Sequence, residues 1–187
     1  MRKYLKPDSV IFPLPVLVLG TYDKDGKPNA MTAAWGGIYD TNQVFVCLSS
    51  NHKTSENIRF NSVFSVSFAT KDTVEIADYY GIKSGYDEDK ILVSKVKVDR
   101  CAKINAPYFE EFPAHLECKV RSFKEENATC YIVADILAIY ADENVLNKDG
   151  KIAISKLQPI AYNPSEHTYN LVKEKVGDAF KCGLRIK

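Results

Sequence analysis

The sequence predicts a mainly β fold: an antiparallel barrel, closed or partly closed, covered by three short helices. Three observations lead there. About seven short runs are β-rich or alternate apolar and polar residues with a period of two. Turn signals separate them, with hairpin spacing at Asp25-Gly26 and at Lys124 to Asn127. No Gly-x-Gly-x-x-Gly and no P-loop pattern follows any strand, which argues against the dinucleotide and nucleotide folds.

Taken in order, residues 1–13 mix charge with Pro and are expected to lie across the surface or a partner. Val16 to Tyr22 and Asn29 to Trp35 read as two strands of a hairpin. Asp-Gly at its tip tolerates positive φ, and Pro28 fixes the exit. Gly36 and Gly37 are expected to loosen or bulge the second strand. Val44 to Leu48 is a strand, Ser49 to Lys53 a loop, and Thr54 or Ser55 the N-cap of a short helix whose inward residue is Ile58. Val63 to Phe68 alternates as a strand. Thr73 is expected to cap a second helix with Val74, Ile76, Ala77 and Tyr80 on its apolar stripe, stopped by Gly81. A polar loop runs from Ser84 to Lys90, and Val96 to Val98 is a short strand. Leu116 to Phe123 and Tyr131 to Tyr140 are the longest alternating runs. Leu157 to Asn163 then leads into a C-terminal helix, with Leu171, Val172, Val176, Ala179 and Phe180 at helical spacing and Gly183 at its end.

No composition shift or linker divides the chain, so one domain over 1–187 is expected, long enough to bury a core without staples. The formal net charge of +1 gives no bulk attraction for nucleic acid or an acidic membrane. No apolar run approaches the roughly 20 residues of a membrane helix. The N-terminus lacks a signal-peptide layout, so a cytoplasmic location is expected. Five cysteines without Cys-x-x-Cys spacing suit small buried thiols in a reducing cytosol better than disulfides or a metal site.

Two stretches offer chemistry. Ser49-Ser50-Asn51-His52-Lys53-Thr54 leaves a strand and enters a helix N-terminus, where unpaired N–H groups favour an anion. Lys53 adds charge and the hydroxyls of Ser49, Ser50 and Thr54 add donors, so the loop suits a phosphate monoester. It equally suits a well-capped helix with one solvated Lys. Asn29-Ala30-Met31-Thr32 offers close backbone approach, short polar side chains and a soft thioether, equipment for the edge and face of a planar heteroaromatic ring. It is also an ordinary strand leaving a turn. Trp35, the only Trp, suits a ring pocket or a core. His52, His115 and His167 form no Ser–His–Asp order and no metal-ligand spacing, so no catalytic residue and no metal is assigned.

Pro15-Val16-Leu17-Val18, then Thr21-x-Asp23-x-Asp25-Gly26-Lys27-Pro28-Asn29-Ala30-Met31-Thr32-Ala33-Ala34-Trp35, resembles the opening of the flavin reductase-like family of flavoredoxin type. The likeness continues through Val46-x-Leu48-Ser49, Lys53-Thr54 with Ile58, Asp78-Tyr79-Tyr80-Gly81, Ser84-Gly85, Asp89-Lys90, Pro159-Ile160-Ala161-Tyr162 and Tyr169. The resemblance implies a split β-barrel homodimer that binds FMN near the subunit interface. It implies that Asn29, Ala30, Met31 and Thr32 hold the isoalloxazine. Ser49, Ser50, Asn51, Lys53 and Thr54 would hold the ribityl phosphate, with Trp35, Lys90 and Tyr162 as further pocket residues. Members either reduce flavin with NADH or NADPH, or carry electrons on FMN to a redox partner protein. Two departures stand out: Lys173 where the family's last helix has Gly, and the segment Arg100 to Phe112, which matches no pattern.

Overall fold

A computed structural model describes residues 1–186. Leu14–Pro15 (β1) is a two-residue strand that leads into Leu17–Tyr22 (β2), and Pro28–Ala33 (β3) returns antiparallel to β2. Gly26 takes φ +77°, and Asp23 Oδ1 accepts from the N–H groups of Asp25 (3.0 Å) and Lys27 (2.9 Å), so the tip forms as its Asp-Gly signal predicts. Gly36–Asp40 (β4) and Gln43–Ser49 (β5) form the next hairpin, followed by the helix Lys53–Asn61 (α1) and the strand Val63–Phe68 (β6). Val74–Ile82 (α2) and Lys90–Ser94 (α3) precede a small ribbon of Val98–Arg100 (β7) and Pro107–Phe109 (β8). Ala114–Glu126 (β9) and Thr129–Ala141 (β10) form the longest hairpin. Ile154–Leu157 (α4), Ile160–Asn163 (β11) and Thr168–Leu171 (β12) close the chain, with β1, β11 and β12 forming a separate three-stranded sheet.

The main sheet has seven antiparallel strands in the order β3-β2-β6-β9-β10-β5-β4. Its edge strands β3 and β4 are joined by only Ala34 and Trp35, so the sheet must curl until the end of β3 comes close to the start of β4. The two edges form no ladder. The result is a split barrel.

Period-two alternation gives β2 two jobs. Leu17 and Leu19 enter the barrel core with Val46, Phe64, Val66 and Ile132. Val16 and Val18 face outward into a second core with Ala77 and Tyr80 of α2, and with Phe109 and Ile160. α2 and α3 therefore cover one outer face of the barrel, while Ile58 of α1 enters the barrel core.

Several expectations are corrected. Gly36 and Gly37 do not bulge the second strand. They begin β4, because the chain must cross from one sheet edge to the other there. The N-cap of α1 is His52, not Thr54 or Ser55; both of those lie inside the helix, buried, with their hydroxyl oxygens engaged elsewhere. Gly81 does not stop α2, which runs to Ile82. The Ser84–Lys90 loop ends by starting α3. The β9–β10 turn is Asn127-Ala128, both at positive φ as a two-residue hairpin requires, rather than Lys124 to Asn127. The strand expected at Val96 to Val98 lies at Val98–Arg100, and its partner β8 sits inside the unmatched Arg100–Phe112 segment.

The C-terminal helix is the largest correction. Thr168–Leu171 is a strand, residues 172–178 have no regular structure, and a short 3₁₀ turn spans Cys182–Arg185. Val176 and Phe180 are fully exposed. An amphipathic stripe forms a helix when a surface covers it, and this chain offers that stripe none.

Asp89 shows what a single cap contributes. Its Oδ1 accepts from Leu92 N (3.1 Å) and its Oδ2 pairs with Lys27 Nζ (3.0 Å). The Leu92 N–H is the main influence holding the carboxyl below its ordinary range, with Lys27 adding to it. Asp89→Ala is expected to cost about 1 kcal/mol, mostly from the cap because an exposed ion pair adds little. In wild type that contribution is present above the ordinary Asp value and lost as pH falls through the lower folded value. Urea midpoints of wild type and variant should therefore converge at strongly acid pH.

Candidate functional site

At the seam where β3 meets β4 lies a cavity of about 520 Å³, within the size range of small-molecule sites. Met31, Ala33, Trp35, Cys47 and Ser49 line it from the barrel side. Asp78, Gly81 and Ile82 come from α2, and Tyr162, His167 and Tyr169 from the three-stranded sheet. Cross-strand register explains two of these: Tyr162 of β11 lies opposite Tyr169 of β12. Their rings are 6.0 Å apart, and Trp35 lies 6.4 Å from Tyr162. Tyr169 donates to Asp78 Oδ1 (2.8 Å), and Tyr162 Oη pairs with His167 Nδ1 (2.8 Å). Burial and then Asp78 push the Tyr169 phenol up to about 12, so it stays a neutral donor. The result is an aromatic wall with fixed polar tips.

A second, smaller chamber of about 190 Å³ adjoins it, sharing Met31, Thr32, His52, Gly81 and Ile82. Its lining is polar and cationic: Asn29, Lys53, Thr54, Ser84 and Lys90. It sits at the N-terminal end of α1, where first-turn N–H groups leave the helix unpaired. Asn29 Nδ2 donates to Thr54 Oγ1 (2.9 Å), which leaves the Thr54 hydroxyl proton to donate. A Cβ on Gly85 would sit 2.2 Å from Asn29 Oδ1 and 3.2 Å from Lys53 Cδ, so only Gly lets this loop close over the chamber.

Lys90 is the unusual member. It is 4% exposed, and among the described residues no carboxylate forms an ion pair with it. Its Nζ donates to the carbonyls of Tyr80 (3.2 Å) and Lys83 (3.0 Å), at the C-terminal end of α2. An ammonium has three protons, so one remains for the chamber. Burial lowers the Lys90 ammonium to about 8. Burial, and then the Lys90 charge, also lower His52, keeping its imidazole neutral at pH 7. Lys53, by contrast, is already paired with Asp23 Oδ2 at 3.2 Å.

The expected site residues divide between the chambers in a way the sequence did not suggest. Asn29, Met31, Thr32, Lys53, Thr54 and Lys90 surround the polar chamber, and Met31, Thr32, Trp35, Ser49 and Tyr162 the aromatic one. Asn29 thus sits with Lys53 and Thr54, not with the ring-side group. Ala30 is fully buried in the core against α2, while Ser50 and Asn51 line neither chamber. The Thr32 hydroxyl is spent on Ala77 O (2.5 Å). Sequence reasoning gave no role to Asp78, His167 or Cys47. The resemblance names Trp35 and Tyr162 of that wall; the Tyr162–Tyr169 strand pairing, masked by the expected helix, is the signal that would have added Tyr169.

A family model described as a flavin reductase like domain matches residues 9–171. The chain belongs to the flavin reductase-like family. Flavoredoxin of Desulfovibrio vulgaris (Miyazaki F) is similar at 32% identity and TM-score 0.93, over 98% of this chain and 100% of that one. Flavoredoxin from Methanosarcina acetivorans is similar at 31% identity and TM-score 0.88, over 97% and 98%. Nitrilotriacetate monooxygenase component B from Bacillus cereus, at 19% identity and TM-score 0.81 over 90% and 88%, shares the fold. No curated protein sequence matches the chain. Within the flavin reductase-like family, then, this member places a buried Lys with no ion-pair partner beside an aromatic-walled cavity at the barrel seam.

Proposed function

We propose that the chain is an FMN-binding redox protein that takes hydride from NADH or NADPH. The observation that carries this is Lys90: a buried ammonium with a spare proton, facing a polar chamber that opens into an aromatic one. A buried charge without a counter-charge is costly, and a phosphate supplies that counter-charge. The polar chamber would hold the phosphate through Lys90, Thr54 and the first turn of α1, with Asn29 fixing Thr54. Lys53 would add charge while tethered to Asp23. Met31, Trp35, Tyr162 and Tyr169 would flank the ring and exclude water, and Ser49 and the backbone of β3 would meet its edge. Once bound, FMN supplies hydride acceptance and electron transfer; the protein supplies position and electrostatics. Neutral Tyr169 and His52 place donors rather than charges near the ring.

No helix among the described residues is long and apolar enough to cross a membrane, and we infer a cytoplasmic protein. We also infer a homodimer. Exposed Ile38 and Tyr39 on β4, exposed Leu137 and Ile139 on β10, and the exposed N-terminal residues 1–12 support it, as surface a second copy would cover.

A second reading, an FMN electron carrier with no nicotinamide site of its own, is favoured by one observation. Two structures above 30% identity bear the name flavoredoxin. Anaerobic mixing of the FMN-loaded protein with NADH, then NADPH, separates the readings. Rapid bleaching of the flavin absorbance is expected for a reductase. No bleaching by either, with reduction only by a protein partner, makes it a carrier. A purified protein that gains no flavin absorbance after incubation with FMN overturns both.

A further inference from the structure

Away from both chambers, buried polar groups gather on the opposite side of one strand from the barrel core. Leu116 and Cys118 of β9 point into the barrel, so His115 and Glu117 share its outer face. The segment between β7 and β8 folds over that face and brings Cys101 against them. One ligand-type atom from each of Cys101, His115 and Glu117 lies within 4.8 Å of the other two, and all three residues are buried.

One imidazole nitrogen there has no hydrogen-bond partner, and the carboxylate has no cationic one. Glu117 is fully buried and accepts from Ala102 N (2.8 Å) and Lys103 N (2.7 Å), which are neutral donors. Among the described residues, no Lys or Arg pairs with it. His115 is 7% exposed, and its Nε2 is buried with no hydrogen-bond partner, 3.9 Å from Glu117 Oε1. A buried carboxylate without a cation and a buried imidazole nitrogen without a partner are both costly.

We propose that Cys101, His115 and Glu117 bind one zinc ion. A thiolate, an imidazole and a carboxylate together suit a borderline-soft divalent ion, and its charge offsets both anions. Tetrahedral bonds of about 2.0–2.3 Å set ligand–ligand edges of roughly 3.3–3.7 Å, so no edge of the cluster has to contract by more than about 1.5 Å. On binding, the Cys101 thiol proton leaves to solvent and the sulfur's electron pair goes to the metal. The ring of His115 is already oriented, stacked on Tyr108 at 4.3 Å and on Tyr140 at 5.3 Å. The Ala102 and Lys103 N–H groups orient the carboxylate in the same way. The fourth position faces a cavity of about 530 Å³, lined in part by Glu110, Tyr140 and Asp142, which admits water and the ion. The zinc pins the β7–β8 segment to the barrel. This cavity shares no residue with the two chambers at the seam, so the proposal stands apart from FMN.

The test uses untagged, reduced, metal-free protein titrated with Co²⁺. A thiolate-to-cobalt charge-transfer band in the near ultraviolet is expected, saturating at one ion per chain and bleached by Zn²⁺. Cys101→Ser should lose the band with its far-ultraviolet circular dichroism unchanged, while Cys47→Ser should keep it. No band, or a band that survives in Cys101→Ser, overturns the proposal. Should Cys101→Ser fail to fold, native mass spectrometry of wild type after one equivalent of Zn²⁺ and desalting decides. One retained ion per chain, lost in Glu117→Gln, supports the site; no retained ion overturns it.

Discussion

Lys90→Met is expected to weaken FMN binding by roughly 10–100-fold, the worth of a charge-assisted hydrogen bond of about 1.5–3 kcal/mol. The same variant should leave the ligand-free protein as stable as wild type or more stable, by up to about 1 kcal/mol. The two effects share one cause. The ammonium is buried with two carbonyls and the Tyr80 ring as partners and no ion pair, so it weighs on the empty protein and becomes useful when a phosphate arrives. Methionine matches the stem and carries no charge. The pH dependence has a definite sign. Because burial holds folded Lys90 at about 8, below the ordinary 10.5, the unfolded chain binds more protons between those values, and ligand-free stability rises with pH across that window. FMN binding favours the charged amine, so affinity should fall as pH rises through about 8. Below about 6 the phosphate loses its second charge, which sets the acid side. Flavin fluorescence titrations from pH 5.5 to 9.5 check this. A Lys90→Met variant that binds FMN as tightly as wild type, or keeps the fall above pH 8, removes Lys90 from the phosphate site.

Gly20→Ala is expected to destabilise the fold by about 2–4 kcal/mol, combining overpacking with a strained or broken buried hydrogen bond. Gly20 lies in β2 between Ala30 of β3 and Ser65 of β6. A Cβ there would sit 2.4 Å from Ser65 Oγ and 2.5 Å from Pro107 O, atoms that are themselves hydrogen-bonded at 2.5 Å. Phe109 Cε2, 3.2 Å away, belongs to a fully buried ring and gives little room. Both obstacles that cannot swing aside, a backbone carbonyl and a packed ring, belong to β8, so the methyl must push β8 off the barrel. Urea unfolding should show a lower midpoint with an unchanged slope. Gly183→Ala, with nothing within 4 Å, should stay within about 0.5 kcal/mol of wild type. Equal midpoints for Gly20→Ala and wild type would mean that β8 does not pack against β2 this closely.

How much of this was legible in the sequence follows a physical line. The β2–β3 hairpin could be read because Asp23, Asp25 and Gly26 carry their own turn chemistry. β6 could be read because its alternation reports one face directly. α3 could not, since its one signal, Asp89 as a cap, sits in a run of charges that looks like loop. The C-terminal helix was read from an apolar period that no surface in the chain completes. Within the site, Lys53 announced itself as a free cation after a strand. The fold instead ties it to Asp23 and buries Lys90, which the sequence places at the end of a polar loop and only the family resemblance assigns to the pocket.

By itself, the sequence determined the class of fold, its main hairpins and the family, because these rest on local turn chemistry, period-two patterning and ordered motifs. Only the tertiary structure decided which polar residues share a chamber and which are spent on the core. It brought Asn29 to Thr54 across 25 residues, and Asp78 to Tyr169 across 91. It also set Cys101 beside His115 and Glu117. Such meetings depend on how a sheet curls and which segment covers it. Burial then fixes whether a charge is solvated or left for a ligand, and no local pattern encodes that.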